Sequence, residues 1–164
     1  TLAIADHVGP VYLRFGRPKV PVFTNPNKKF EIGKGIKLIE GNDVTIAATG
    51  HLVWESIEAA KILNQSGISA EVINIHTIKP LDEKIILESV SKTKCIVSAE
   101  EHNYLGGLGE SISRVLSKNM PLPQEFVATK DTFGESGTPA ELMKKYGLNS
   151  DSIVEKVKKV INRK

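Results

Sequence analysis

The stretch of sequence that decides the fold is an apolar run followed by acidic, histidine and glycine residues, CIVSAEEHNYLGGLGE at positions 95–110. Residues 95–99 are apolar or small, which predicts a short buried strand, and a helical pattern begins at about Gly109. In an open α/β sheet, ligands bind at the carboxyl ends of the strands. Because two carboxylates, a histidine and three glycines follow this strand, the stretch is a candidate active site.

Outside this stretch, apolar strand patterns alternate with helical patterns along the chain. Further strands are predicted at 44–49, 68–75 and 125–128, with a half-exposed edge at 30–40. One helix is predicted from residue 52 to a C-cap at Gly67, and two more are predicted over 82–91 and 109–118. A capping box at Thr138 and an N-cap at Asn149 predict two further helix starts. This order predicts an α/β fold, a Rossmann-like three-layer sandwich whose sheet is mainly parallel with one antiparallel edge strand.

The composition is typical of one globular domain, and we expect a cytoplasmic protein. Of the 164 residues, 40% are hydrophobic and 25% are charged, and the net charge is +3. The Lys and Arg residues are scattered, which argues against nucleic acid as a partner, and no apolar stretch is long enough to span a membrane. The single cysteine, Cys95, lies in an apolar strand, so we expect a buried structural thiol and neither a disulfide nor a zinc site.

The glycines of the candidate site allow a dinucleotide-binding interpretation, but the match is weak. The fingerprint needs Gly-x-Gly-x-x-Gly directly after the first strand of the fold. Here Gly107 and Gly109 are followed by Ile112 at the third glycine position, and the unit comes late in the fold.

The histidine of the candidate site, His102, is a candidate general base because two glutamates precede it. The alternative is a surface or interface turn whose polar residues bond the local backbone, and local chemistry leaves both interpretations open. The other histidines each stand alone in the sequence, and we expect them to be structural: His7, His51 and His76.

The first residues of the chain suggest that it begins inside a larger protein. Residues 11–15 are predicted to form a strand, and a Pro- and Asn-rich loop follows from Pro18 to Asn27. A strand that a linker separates from the remaining strands is expected to belong to a preceding unit.

Four segments together resemble the C-terminal third of transketolase. They are the glycine loop at 100–110, HTIKPLD at 76–82, TFGESGTPAEL at 132–142 and GPVYLRFGR at 9–17. Their order and spacing match over essentially the whole chain, and the third segment points more towards transketolase than towards related thiamine enzymes. The resemblance implies three parts: the last strand of a preceding pyrimidine-binding domain (1–17), a linker (18–29) and the C-terminal domain (30–164).

The resemblance implies that the complete enzyme transfers a two-carbon ketol unit from a ketose phosphate to an aldose phosphate, as in the pentose phosphate pathway. Thiamine diphosphate and a divalent metal, Mg²⁺ or Ca²⁺, would be bound by domains without a counterpart in this sequence. We therefore expect no catalytic or metal-binding residue in this chain, which alone would be inactive. Its expected partners are the remaining transketolase domains or an N-terminal subunit, in a homodimer that binds sugar phosphates.

The resemblance assigns a role to only a few residues. Arg17 aligns best with an arginine that binds the substrate phosphate, and Arg14 is the second candidate; a guanidinium suits this role because it can bond phosphate oxygens bidentately. A solvated charge at a strand end is the alternative for both. The glycine loop would then serve as an interface or regulatory loop, through Glu101, His102, Gly106, Gly107 and Gly109.

Other functions stay open at the level of sequence. The glycine loop and the 76–82 loop are shared with deoxyxylulose-phosphate synthase and with the beta chains of 2-oxo-acid dehydrogenases, in which this domain acts mainly as a binding module for an acyltransferase core. A free-standing regulatory domain that binds anions at the glycine loop and the following helix start is a different class of function.

Overall fold

The computed structural model describes residues 1–16, 19–27 and 29–164. Five strands follow one another in these residues: β1 (Ile36–Ile39), β2 (Val44–Ala48), β3 (Ala70–Asn74), β4 (Ile96–Asn103) and β5 (Gln124–Thr129). The helices are α1 (Leu2–Ala5), α2 (Leu52–Gln65), α3 (Glu83–Thr93), α4 (Leu108–Asn119), α5 (Pro139–Lys145) and α6 (Ser150–Ile161). Over the described ranges, none of these helices has the length and apolar character needed to cross a membrane.

The strands form one sheet in the order β1-β3-β2-β4-β5. β1 runs antiparallel to β3, and the other neighbouring pairs are parallel. The chain passes from β2 to β3 on one side and then crosses to β4 on the other side of β2. β2 and β4 therefore flank the point at which the winding reverses, and the predicted α/β fold with one antiparallel edge strand is confirmed.

The sheet is covered on both faces, which explains the apolar runs of its central strands. Successive side chains of a strand point to opposite faces. Ile46 lies in the core cluster with residues of α2 and α6, whereas Ala47 lies in the cluster with residues of α3 and α4. Parallel strands with two covered faces have continuous apolar sequences rather than alternating ones. The predicted three-layer arrangement is confirmed.

Two helices begin where the predicted capping residues stand. Thr138 and Glu141 form a reciprocal capping box, with Pro139 at the first position of α5. Asn149 Oδ1 accepts a hydrogen bond from the Ser152 N–H at 2.9 Å at the start of α6. Local signals therefore predicted these helix ends correctly.

Three strand predictions differ from the structure. Within the predicted edge at 30–40, only Ile36–Ile39 forms a strand. Residues 11–15 lie in irregular backbone, because a strand needs a neighbour to bond its backbone groups and none of the described strands pairs with these residues. β4 is longer than predicted: after a register shift beyond Ala99 it continues to Asn103, which pairs with Thr129 of β5. The acidic residues and His102 therefore lie at the end of a strand rather than in a loop.

Candidate functional site

The candidate site lies at the carboxyl edge of the sheet, between β2 and β4. These strands flank the reversal of winding, which is where open α/β sheets bind ligands. His51 follows β2 after a turn at Gly50, whose φ of +59° is in the left-handed region that favours glycine. Glu101 lies near the end of β4, and its Oε2 is 3.8 Å from His51 Nε2. The structure thus pairs His51, which we expected to stand alone, with a glutamate of the glycine loop.

Glu100 is buried, with only 2% of its surface exposed. Its Oε2 accepts a hydrogen bond from the Leu108 N–H and its Oε1 accepts one from the Gly109 N–H, both at 2.8 Å. These N–H groups at the start of α4 have no partner within the helix, and the helix dipole also favours a negative charge there. The Glu100 carboxylate therefore occupies the position that an anionic ligand would take at this helix.

Close packing within the chain explains the glycines of the loop. A Cβ on Gly107 would overlap the Glu100 carboxylate and lie 2.7 Å from its Cδ. A Cβ on Gly109 would lie 2.6 Å from Cε1 of Phe126, so that α4 could not approach β5 as closely. Gly106 has a φ of +74°, which favours glycine. Because the loop already holds a carboxylate, the structure argues against both the dinucleotide and the free anion-binding interpretations.

His102 is exposed near the end of β4. Within residues 1–16, 19–27 and 29–164, no hydrogen bond or ion pair joins it to a glutamate; Glu100 bonds the start of α4 and Glu101 faces His51. A general base is held in position by a partner of this kind. The structure therefore argues against the general base, and it places His102 within β4 rather than in a turn.

Residues 14–16 lie against the same edge of the sheet. Arg14 Nη1 donates a hydrogen bond to the Glu101 carbonyl oxygen at 3.5 Å. The Gly16 backbone is so close to the His51 ring that a Cβ on Gly16 would overlap Nε2 and lie 2.9 Å from Cε1. Arg17, the first candidate for the substrate phosphate, lies outside the described residues. The site therefore combines three separate parts of the chain.

Among the titratable groups with shifted pKa values away from this site are Glu71 and His76. Burial opposes the ionisation of Glu71 in β3, but hydrogen bonding and the charges of Lys92 and Lys37 hold its pKa below the usual range. Burial lowers the pKa of His76, whose ring packs on the Phe30 ring with the centroids 4.3 Å apart and the planes tilted by 37°. In the part of the chain that the structure describes, no group of three or more His, Cys, Asp or Glu residues could hold a metal ion.

The family of the chain follows from comparison with known proteins. A model of the family described as transketolase, C-terminal domain, matches residues 33–153. The chain belongs to this family. A solved split gene transketolase, described as an inactive beta4 tetramer, is similar to it with a TM-score of 0.94 and 43% identity, covering 98% of this chain and 54% of that one. The predicted resemblance to the transketolase C-terminal domain is confirmed.

Two curated transketolase-type relatives match nearly the whole chain. The 6-deoxy-6-sulfo-D-fructose transketolase subunit SqwH of Clostridium sp. (strain MSTE9) is 43% identical over 161 residues, which cover 98% of this chain and 50% of that protein. A protein of Methanocaldococcus jannaschii described as a transketolase C-terminal section is 40% identical over 158 residues, which cover 94% of this chain and 49% of that protein. The chain therefore spans about half the length of these relatives.

Sequence reasoning missed three features of this transketolase C-terminal domain: His51, its contact with Gly16, and the capping role of Glu100. One signal could have identified His51. It follows a glycine after an apolar strand, so it stands at the carboxyl edge of the sheet, as the glycine loop does. The contact of Gly16 has no local signal, because it depends on the path of an irregular segment.

Proposed function

We propose that the chain is the C-terminal section of a cytoplasmic transketolase, which transfers a two-carbon ketol unit from a ketose phosphate to an aldose phosphate. Membership of the transketolase C-terminal domain family supports the proposal. In the complete enzyme, this section serves dimerisation, stability and binding of the substrate phosphate. The other domains carry the reaction itself.

The observation that carries this proposal is the exposed apolar surface of the N-terminal segment. Val8, Tyr12 and Phe15 are 96%, 88% and 83% exposed, whereas the residues from β1 onward enclose two core clusters. A concentration of exposed apolar side chains marks an interaction surface. We infer that residues 1–17 complete the preceding pyrimidine-binding domain, with 18–29 as a linker and 30–164 as the C-terminal domain.

Contacts of the linker support this division. The ring centroid of Phe23 lies 6.4 Å from that of Trp54 in α2, and Phe23 packs against the core cluster on that face. Lys61 Nζ lies 5.4 Å from the centroid of the Trp54 ring, within cation–π distance. The described part of the linker is thus attached to the C-terminal domain.

The residues at the candidate site do not fit thiamine diphosphate, and the described ranges hold no group of three or more His, Cys, Asp or Glu residues that could bind its divalent metal, Mg²⁺ or Ca²⁺. A diphosphate at the start of α4 would meet the Glu100 carboxylate, which already accepts the N–H groups of Leu108 and Gly109. Two negatively charged groups in contact at a buried site repel each other strongly. The proposal therefore assigns both groups to the remaining domains, which are either part of the same polypeptide or an N-terminal subunit.

For the substrate phosphate we propose Arg17 as the first candidate and Arg14 as the second. The Arg14 guanidinium already donates a hydrogen bond to the Glu101 carbonyl oxygen at the edge of the sheet. Part of this group is therefore not available to a phosphate, which favours Arg17 as the first candidate. A guanidinium is charged at every physiological pH and can bond two phosphate oxygens at once.

The expected inactivity of the isolated chain has support from a relative. The split gene transketolase of similar structure is described as an inactive beta4 tetramer. We infer that this chain alone also associates with its own copies and does not turn over, and that addition of the remaining domains gives an active homodimer.

The test is an assay of the complete enzyme, either as the full-length protein or as the two subunits together, with thiamine diphosphate and Mg²⁺ added. We expect ketol transfer from xylulose 5-phosphate to ribose 5-phosphate, and none from this chain alone. Arg17→Ala should raise the KM for ribose 5-phosphate by about tenfold or more. Turnover of pyruvate in place of the sugar phosphates would contradict the proposal and favour a 2-oxo-acid dehydrogenase beta chain or deoxyxylulose-phosphate synthase.

A further inference from the structure

The imidazole ring of His76 joins the carboxyl end of β3 to the residues that precede β1. His76 comes two residues after the last residue of β3, and its ring packs on the Phe30 ring with the centroids 4.3 Å apart. Its Nε2 is buried and has no hydrogen-bond partner within the described ranges. The proposed ketol transfer gives this histidine no role.

The segment of residues 30–35 is attached through side chains rather than through strand pairing, because it lies before β1 and outside the sheet. The Gly33 N–H donates a hydrogen bond to Thr77 Oγ1 at 3.2 Å, and the Gly35 N–H donates one to Asp82 Oδ2 at 2.9 Å. Both acceptors belong to the loop after β3. This loop therefore holds the segment in place.

His76 contacts this attachment at two points. Its Nδ1 lies 2.9 Å from Thr77 Oγ1, which is the oxygen that accepts the Gly33 N–H. Its ring also packs on Phe30, the first residue of the segment. If the ring moved out into water, Phe30 would lose its aromatic neighbour and the Thr77 hydroxyl would lose the partner that fixes its position.

The surroundings of the His76 ring suit its neutral form. A neutral ring with its proton on Nδ1 can donate to Thr77 Oγ1, whereas a protonated ring also carries a proton on Nε2, which is buried without a partner. A buried donor without an acceptor is unfavourable. Burial lowers the pKa of His76 below its ordinary value of 6.5, although the Lys34 backbone and the charge of Asp82 act in the opposite direction.

We propose that His76 is a pH-sensitive switch for residues 30–35: the neutral ring holds the segment on the loop after β3, and protonation moves the ring into water and releases the segment. The sheet stays folded in both states. Because the segment lies between the linker and β1, its release changes how firmly the linker is joined to the domain. The inference does not depend on the reaction that the complete enzyme catalyses.

The direction of the switch follows from proton linkage. In the released state the ring is in water and has an ordinary pKa, so this state binds the proton more readily than the attached state. The released fraction therefore rises as the pH falls below 6.5. One proton is involved, so the ratio of released to attached segment changes by at most about tenfold per pH unit.

The experiment is amide hydrogen exchange of the complete protein at pH 7.5 and pH 5.5, corrected for the intrinsic pH dependence of exchange. The protection factor of a peptide that covers residues 30–36 should fall by about three- to tenfold, and that of a peptide that covers β2 should not change. In His76→Phe the ring can still pack on Phe30 but cannot take up a proton, so the protection should be equal at both pH values. His102→Phe is the matched control at an exposed histidine and should keep the native response.

Four results would overturn the inference. The first is equal protection of residues 30–36 at both pH values in the native protein. The second is an undiminished loss of protection in His76→Phe, or in His76→Gln if the Phe variant does not fold, because another group would then be titrating. The third is a loss of the response in His102→Phe. The fourth is an equal loss of protection in β2, which would mean that acid opens the whole domain.

Discussion

The substitution Glu100→Gln tests whether the glycine loop is closed by the protein's own charge. In the native structure the two carboxylate oxygens accept one N–H each, from Leu108 and Gly109, both at 2.8 Å. A glutamine has only one acceptor oxygen. One of the two N–H groups would therefore face an NH₂ group and lose its hydrogen bond, and the negative charge at the start of α4 would be lost as well.

The magnitude follows from these two losses. A hydrogen bond to a charged group contributes about 1.5–3 kcal/mol, and a negative charge at a helix N-terminus contributes about 0.3–1 kcal/mol. Because the two contributions overlap, we expect the free energy of unfolding to fall by about 2–3 kcal/mol. In a chain of this length, that lowers the Tm by roughly 4–12 °C.

The assay is urea unfolding at neutral pH, followed by circular dichroism, with Glu110→Gln as the matched control. Glu110 Oε2 accepts the Gly106 N–H at 2.8 Å but is exposed, so its replacement should cost less than about 1 kcal/mol. A loss below about 0.5 kcal/mol for Glu100→Gln would refute the reasoning. A second result would also refute the reasoning: millimolar phosphate stabilises the native chain but not the Glu100→Gln variant. Such a result would mean that the start of α4 is open to an external anion.

Three further predictions concern stability. Gly109→Ala should lower the free energy of unfolding by about 1–3 kcal/mol because its Cβ would press on the Phe126 ring, while Gly134→Ala should change it by less than about 0.5 kcal/mol in the same urea assay. Since the pKa of Glu71 is lowered, its contribution to stability is present above the ordinary value of 4.5 and is lost as the pH falls through the lower folded value. The free energy of unfolding should therefore fall less steeply with acid in Glu71→Gln than in the native chain. An equally steep fall would contradict this prediction. Burial lowers the pKa of His76, so the unfolded state binds the proton more readily and stability falls as the pH drops below 6.5. Thermal unfolding between pH 7 and pH 5 should show a smaller loss of Tm for His76→Gln, and an unchanged loss would contradict the lowered pKa of His76.

Elements whose formation depends on residues close together in the sequence could be predicted from the sequence. The apolar run of β2 indicated a strand because both of its faces are covered, and the spacing of Thr138, Pro139 and Glu141 indicated a helix start because the capping bonds are local. Residues 11–15 have the composition of a strand as well. Their backbone is irregular because strand structure needs a pairing partner, which no neighbouring residue can supply.

The candidate site was harder to predict because its contacts join distant parts of the chain. Residues 100 and 101 are both glutamates, yet Glu100 is buried against α4 and Glu101 faces His51. A register shift after Ala99 breaks the regular alternation of β4, so the direction of each side chain could not be counted from the strand. The pairing of His51 with Glu101 requires β2 and β4 to be neighbours, which is a property of the sheet order.

The contact between Phe23 and Trp54 makes the position of the linker measurable by fluorescence. The chain contains a single tryptophan, and its ring lies beside Phe23 on one side of α2. An indole that loses an apolar neighbour to water emits at longer wavelength. Movement of residues 19–27 away from α2 would therefore appear as a red shift of the intrinsic emission of this chain, without a label.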